Sequence, residues 1–344
     1  MNYRSCWLTV NRACNLRCKW CYAQSTNFLA SDDMELDVAK QAIDICKEMK
    51  IKHIIIIGGE PTIYKNLFNV IDYCHSQNLG CGIVTNGLAC KDLSFVNELK
   101  QHKINSISLS LKGENRDIFK EITGRDAYED TKEAITNCLN NGVRVTVSMV
   151  LTEENINSFL SGIKEMVSLG VKDFHFSFCY EFDMQMEHNN YLKIHNPRKL
   201  IKDFMNIYPE LDKITNHNFT FQNGLPLCLW DEKDIELLKK NGQISTVCQL
   251  LGKSGLIFDP KGYVIPCNAM PSIKLGQLNK DFSNSKELID YMESEPIKKV
   301  YNKLCGVPDL DCLKCSKLEN CGGGCVCQWT NYSFDDLKNN NQII

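Results

Sequence analysis

Six short apolar runs, separated by amphipathic stretches of helical period, constrain this chain more than any other feature of its sequence. They fall at Cys6–Val10, His53–Ile57, Gly82–Thr85, Ser106–Leu111, Val143–Val150 and Val171–Phe178. Between the first two, Met34–Met49 sets Leu36, Ala39, Ile43 and Cys46 on one face, the spacing of a surface helix. Asp32 followed by Glu35 predicts a capping box at its start. Strand and helix alternating over about 175 residues predict a parallel sheet with right-handed crossovers. Six units are too few for an eight-fold barrel. The expected fold is therefore α/β, a partial (β/α)6 TIM-like barrel, with chemistry gathered at the C-terminal ends of its strands.

The alternation is expected to stop near Phe178. Residues 1–178 then form the barrel and 179–247 a linking region, helical at Pro197–Ile207 and Asp231–Lys240 but not at Asn216–Pro226. Residues 248–344 form a small Cys-rich C-terminal domain. In that last part, Leu256–Asp259 and Tyr263–Pro266 flank a Pro-Lys-Gly turn and predict a hairpin. The polar stretch Asn339–Gln342 is expected to fray.

The loop after the first run reads Cys14-Asn-Leu-Arg-Cys18-Lys-Trp20-Cys21. Three thiolates at CxxxCxxC spacing can hold three irons of a four-iron cluster and leave the fourth without a protein ligand. A structural metal site normally closes its shell. On spacing alone, a structural knuckle or simple packing competes evenly with that reading. The chain has 19 cysteines, nine of them from Cys228 to Cys327. The odd count, and a start without the charged-then-apolar shape of an export signal, set a disulfide framework aside. In a reducing compartment, clustered cysteines more often bind metal, and the expected location is cytoplasmic. A net charge of −3 gives no reason to expect nucleic acid or an anionic membrane as the main partner. No run of ~18 apolar residues predicts a membrane span.

Gly58-Gly59-Glu60-Pro61 follows the most apolar run, His53–Ile57. Two glycines let a backbone pass close to a ligand, and a carboxylate at a strand end can accept from an ammonium group. Taken with Cys14–Cys21, these residues resemble the radical S-adenosylmethionine (SAM) family. The resemblance implies that Cys14, Cys18 and Cys21 hold a 4Fe-4S cluster whose fourth iron is chelated by SAM. It also implies that Trp20 packs near the adenine and that Gly58, Gly59, Glu60 and Pro61 meet the SAM amino group. Thr85-Asn86-Gly87 is similar to the family's TNG segment, which lines the same pocket. Ser110-Leu111-Lys112-Gly113 stands where many relatives carry Ser-Leu-Asp-Gly, so Ser110 is carried over as a ribose contact. Lys112 replaces the aspartate; it can donate to a ribose oxygen or to the methionine carboxylate, or be a solvated loop lysine. Thr123-Gly124 stands where relatives often carry Arg-Gly, with Arg125 next door.

Cys248 and Cys267, with Gly262 between them, and then Cys312, Cys315, Cys321 and Cys325 resemble the SPASM domain of many radical SAM enzymes, which carries two auxiliary 4Fe-4S clusters. The rival is a pair of zinc sites. The family pattern implies that Cys248, Cys267 and Cys325 serve one cluster, with one more ligand or an open iron. It implies that Cys312, Cys315 and Cys321 serve the other. The last ligand of the second is left open between Cys327, Asp335, Asp336 and an incomplete cluster, with Cys228 and Cys305 unassigned. Cys46, Cys74 and Cys138 read as core, and Cys179 as a candidate thiol hydrogen donor at the end of the sixth run.

These features imply an enzyme that generates a 5′-deoxyadenosyl radical and abstracts a hydrogen atom. The leading expectation for its substrate is a ribosomally synthesised peptide, modified by crosslinking, epimerisation or side-chain oxidation. With 13 residues before Cys14, no N-terminal leader-binding domain is expected, so a separate recognition protein, or a peptide that binds without one, is needed. The alternative is a dehydrogenase or epimerase acting on a sugar or aminoglycoside. A non-catalytic iron-sulfur electron carrier is disfavoured, because a carrier needs no SAM pocket. An external electron donor such as flavodoxin or ferredoxin is implied as a partner.

Overall fold

The computed structural model describes residues 3–21, 26–29, 31–179, 196–246, 248–304 and 307–329. The six predicted runs become β1 (Ser5–Thr9), β2 (His53–Ile57), β3 (Gly80–Thr85), β4 (Ser106–Leu111), β5 (Val145–Leu151) and β6 (Asp173–Phe178). They pair in that order, all parallel. The helices α1 (Leu36–Glu48), α2 (Leu67–Ser76), α3 (Leu93–Gln101), α4 (Arg116–Thr123), α5 (Tyr128–Asn140) and α6 (Phe159–Ser168) make the crossovers. The expected capping box does not form. Glu35 is itself the N-cap of α1 and makes no side-chain cap bond, while Asp32 is engaged by Lys261 at 3.3 Å.

The alternation continues past Phe178. After α7 (Pro197–Ile214) comes β7 (Phe219–Gln222), parallel to β6, and after α8 (Glu232–Lys240) comes β8 (Ile244–Ser245), parallel to β7. Strands of four and two residues are too short for periodicity to separate from loop. Tertiary packing fixes them instead. The Phe221 ring lies 4.8 Å from that of Phe178 and 4.6 Å from that of Phe204, and Phe219 lies 5.6 Å from Phe176.

On the other flank β9 (Gly255–Phe258) runs parallel to β1, then turns into antiparallel β10 (Tyr263–Val264) and β11 (Gly276–Gln277). The predicted hairpin is made by Asp259, whose Oδ1 accepts from the backbone N–H groups of Lys261 and Tyr263 at 2.9 Å each. Gly262 sits at φ +76°, where a side chain would be strained. Among the described residues β8 and β9 are not paired, so the eleven-stranded sheet has a seam there. Helices α9 (Ser285–Met292), α10 (Glu295–Leu304), α11 (Leu318–Cys321) and α12 (Val326–Trp329) follow among the described residues. Cys305, Asp335, Asp336 and Asn339–Gln342 lie outside the described residues.

Two faces of the sheet differ sharply. Ile107, Leu109, Val147, Met149, Phe174, Phe176 and Phe221 are buried in one continuous core with the helices. The alternate residues Ser106, Ser108, Thr146, His175, Thr220 and Gln222 line a cavity of about 640 Å³ together with residues of β1, β2, β3 and β9. A cavity walled by eight strands of one sheet means the sheet curls around it, as a partial barrel does.

Candidate functional site

The cysteine loop is held on three sides, twice by backbone bonds and once by a side-chain pair. Beneath it, the N–H groups of Gly59 and Glu60 donate to the carbonyls of Asn11 and Ala13 at 3.0 and 2.7 Å, and Asn11 Nδ2 returns a bond to the Glu60 carbonyl at 2.8 Å. This close seam explains the two glycines. A Cβ on Gly58 would fall 2.0 Å from Asn11 Oδ1, and one on Gly59 2.2 and 2.3 Å from the carbonyl oxygens of Arg12 and Ala13. Farther along, the N–H groups of Arg17 and Lys19 donate to the carbonyls of Thr123 and Ile122, at the C-terminal end of α4, at 3.1 and 2.9 Å. From the third side Asn86 Nδ2 donates to Asn15 Oδ1 at 2.7 Å.

Glu60 is 1% exposed. Its Oε1 accepts from Thr62 N at 3.0 Å and from the hydroxyls of Thr62 and Thr85 at 2.6 Å each, and its Oε2 accepts from Asn86 N at 2.8 Å. Thus Oε1 is saturated, and Oε2 keeps a free lone pair. Pro61 starts the short 3-10 turn that Glu60 caps. The end of β2 and the end of β3 are therefore locked to one carboxylate.

Above this carboxylate lies a cavity of about 250 Å³. Its walls bring together Cys14, Cys18, Cys21, Trp20, Gly58, Gly59, Glu60, Thr85, Asn86, Ser110 and Lys112, residues drawn from positions 14 to 112. Burial pushes the Cys14 and Cys18 thiols up, and the nearby Lys112 cation pulls both back. Ser110 Oγ lies 3.3 Å from Ser148 Oγ. The indole N–H of Trp20 and Asn11 Oδ1 are buried without a partner. Three thiols, a buried carboxylate with one open lone pair and the unpaired indole of Trp20 around one space fit a cluster with a zwitterionic ligand. One expected residue, Pro61, is buried but not on this wall, and Arg125 is exposed. Cys179 packs instead with Trp20 and Ile122 in a small apolar cluster.

The 640 Å³ lumen adjoins this cavity, and Trp7, Val84 and Asn268 border both. Cys248, Cys267 and Cys325 also line the lumen. Burial pushes the Cys267 thiol up to about 12, reinforced by Cys325 and Cys248. Cys327 is hydrogen-bonded to Cys325 and lies close to Cys267 and Cys248, which places it with this set. Cys312, Cys315 and Cys321 form a separate group, and the N–H of Leu227 donates to Cys321 Sγ at 3.2 Å. Cys228 is exposed. Among the described residues, no three His, Cys, Asp or Glu side chains are gathered as a single-metal-ion site.

Sequence reasoning missed the residues that join the two cavities. Trp7 is one of a strand's alternate positions, and Asn268 is adjacent to Cys267; Asn268 Oδ1 accepts from Thr9 Oγ1 at 3.2 Å. Asn11 and Asn15 were also missed, although each belongs to the cysteine loop itself.

The fold and this site define a class, that of an α/β partial barrel with a CxxxCxxC loop over a GGEP turn. Residues 8–166, a little under half of the chain, match the family model described as the Radical SAM superfamily. Among curated proteins it is 30% identical over 175 residues to a probable GTP 3',8-cyclase of Saccharolobus islandicus, covering 49% of this chain and 54% of that one. The corresponding protein of Saccharolobus solfataricus is 31% identical over the same length. The chain spans about half the length of the curated relatives it matches. Among solved structures, Streptococcus suis SuiB bound to the precursor peptide SuiA superposes with a TM-score of 0.71 at 18% identity, over 94% of this chain and 72% of that one. Native anSMEcpe with bound AdoMet and the Kp18Cys peptide gives 0.71 at 19% identity, over 97% and 95%. These likenesses extend the shared fold through the C-terminal, Cys-rich part.

Proposed function

We propose that this chain is a radical SAM enzyme that modifies a ribosomally synthesised peptide. The observation that carries the reading is the pair of adjoining cavities, one lined by Cys14, Cys18 and Cys21 and the other by Cys248, Cys267 and Cys325. When bound together, the cluster and SAM supply hydrogen-atom abstraction from an unactivated C–H bond. The chain's own residues do the rest. Cys14, Cys18 and Cys21 ligate three irons, and the open lone pair of Glu60 Oε2 holds an ammonium group. Ser110 and Lys112 orient oxygen-bearing groups of SAM. Trp7, Val84 and Asn268 border the passage along which a substrate side chain meets the reacting centre. Helix, strand and loop around the 250 Å³ space exclude bulk water, which limits side reactions of a radical.

Cys248, Cys267, Cys325 and Cys327 serve as the ligand set of an auxiliary cluster beside the substrate, and Cys312, Cys315 and Cys321 as the core of a second. Peptide-bound relatives of this fold support a peptide as substrate, and an external one-electron donor of the flavodoxin or ferredoxin type completes the scheme. A small-molecule substrate is the second reading, supported by the name of the curated relatives.

The test is anaerobic reconstitution followed by SAM cleavage under reductant. Deoxyadenosine should form in the wild type and be lost in Cys14→Ala, while Cys312→Ala keeps some cleavage without product. Iron equivalent to one cluster or none, or no deoxyadenosine at all, would sink the reading.

A further inference from the structure

A third cavity, of about 400 Å³, shares no lining residue with the two already described. It lies beside the cysteine loop, walled by Arg12 and Thr26 on one side and by the β9–β10 turn with Pro271, Ser272 and Lys274 on the other. Its charged residues are Arg12, Lys261, Lys274, Asp32 and Asp259. Lys261 pairs with Asp32 at 3.3 Å, and Lys274 pairs with Asp259. Among the described residues two lysines thus answer two aspartates, and one cation is left over.

That cation is Arg12, which is 3% exposed and whose Nη1 is buried with no hydrogen-bond partner. A guanidinium stays charged at any physiological pH, and leaving one of its nitrogens buried without an acceptor is unfavourable. The backbone on either side of it is fixed, by Gly59 N to the Asn11 carbonyl and by Glu60 N to the Ala13 carbonyl.

We propose that this cavity is a carboxylate-binding site, with Arg12 as its anchor. A planar fork of N–H donors matches a carboxylate in two parallel bonds. The surplus of one positive charge suits a singly charged anion, because a doubly charged one would be repelled by Asp32 and Asp259. The hydroxyls of Tyr263 and Ser272, also on the wall, can donate to the remaining lone pairs. The carboxylate belongs either to a free small acid or to an acidic side chain of a bound peptide, and the chemistry of recognition is the same. This assignment does not depend on the radical reading and is tested without reductant or SAM.

The experiment is thermal denaturation of the full chain in rising acetate, against chloride at equal ionic strength. A parallel titration uses blocked Ala-Asp-Ala and its uncharged control Ala-Asn-Ala. The wild type should show a saturable rise in Tm with acetate, with the aspartyl tripeptide, or with both; the pattern assigns a free acid or a peptide side chain. Arg12→Met should melt higher than the wild type in chloride, since it removes an unpaired buried cation, and should lose the response. No saturable rise, a rise that persists in Arg12→Met, or a lower starting Tm in that variant would overturn the proposal. If Arg12→Met fails to fold, Arg12→Lys keeps the charge without the fork. Its half-saturation should then weaken at least about tenfold, and an unchanged value would overturn the proposal equally.

Discussion

Glu60→Gln is the substitution on which the site's construction can be weighed most directly. It conserves shape and removes one acceptor oxygen from a side chain that is 1% exposed. If the amide nitrogen takes the place of Oε2, it meets Asn86 N, now 2.8 Å away, donor against donor. If it takes the place of Oε1, the hydroxyls of Thr62 and Thr85 can rotate to accept, but Thr62 N, at 3.0 Å, cannot. Either way one backbone N–H is left unsatisfied in the interior, at a cost of about 1–3 kcal/mol. A charge-assisted set of bonds is also replaced by neutral ones. We expect a loss of about 2–3 kcal/mol, read as a lower urea midpoint with an unchanged slope. Removing the charge should weaken SAM binding by about 10–100-fold, measured by calorimetry on the reconstituted protein. A variant as stable as the wild type would refute the hydrogen-bond argument, and unaltered SAM affinity would refute the role of Glu60 toward the ammonium group.

Two further outcomes follow from the same geometry. Gly59→Ala places a Cβ 2.2 and 2.3 Å from two backbone oxygens, neither of which can move without breaking the seam; a loss of about 1–3 kcal/mol in urea is expected, and an undisturbed midpoint would contradict it. Burial holds the His175 ring below its ordinary pKa, so that it resists protonation in the folded chain. Unfolded, the same ring protonates from about pH 6.5 downward. Stability is therefore complete above about pH 6.5 and is lost as pH falls below it toward the depressed folded value. The fall in Tm between about pH 7.5 and 5.5 should shrink in His175→Gln, and equal falls in both proteins would be the contrary result.

The positions of β2 and β4 were legible to the residue, because each is a run of four or more apolar or alternating residues bounded by turn signals. β7 and β8 were not, since four and two residues carry no usable period and acquire their conformation from the sheet they join. The helix α1 was legible and its capping box was not, because Asp32 has a tertiary partner in Lys261 that no local window contains. The cysteine loop, Glu60 and Thr85-Asn86 were found because their spacing is a local property. Trp7, Asn268 and the grouping of Cys327 with Cys325 depend on which face of a strand or turn meets a neighbour from the other end of the chain.

One pattern in the sequence carries more than the strand assignments drawn from it. Ser-Ile-Ser-Leu-Ser-Leu in β4, Val-Thr-Val-Ser-Met in β5, Phe-His-Phe-Ser-Phe in β6 and Phe-Thr-Phe-Gln in β7 all alternate strictly. Parallel strands buried on both faces ordinarily read as continuous apolar runs, and a closed barrel fills its interior with branched side chains. Alternation in parallel strands therefore means that one face is not packed. The register bears this out: Ser110, Ser148, His175 and Thr220 lie on one rung across four strands, and Val84, Ser108 and Thr146 on the rung below. Small hydroxyls and a neutral imidazole leave a space of about 640 Å³ where a packed barrel would have a core. Among the described residues that border it there is no Asp, Glu, Lys or Arg. A charged side chain entering the lumen would lose its hydration without gaining a counter-charge. The lumen thus favours an uncharged group beside the cysteine loop, while the unpaired charge of Arg12 lies outside it.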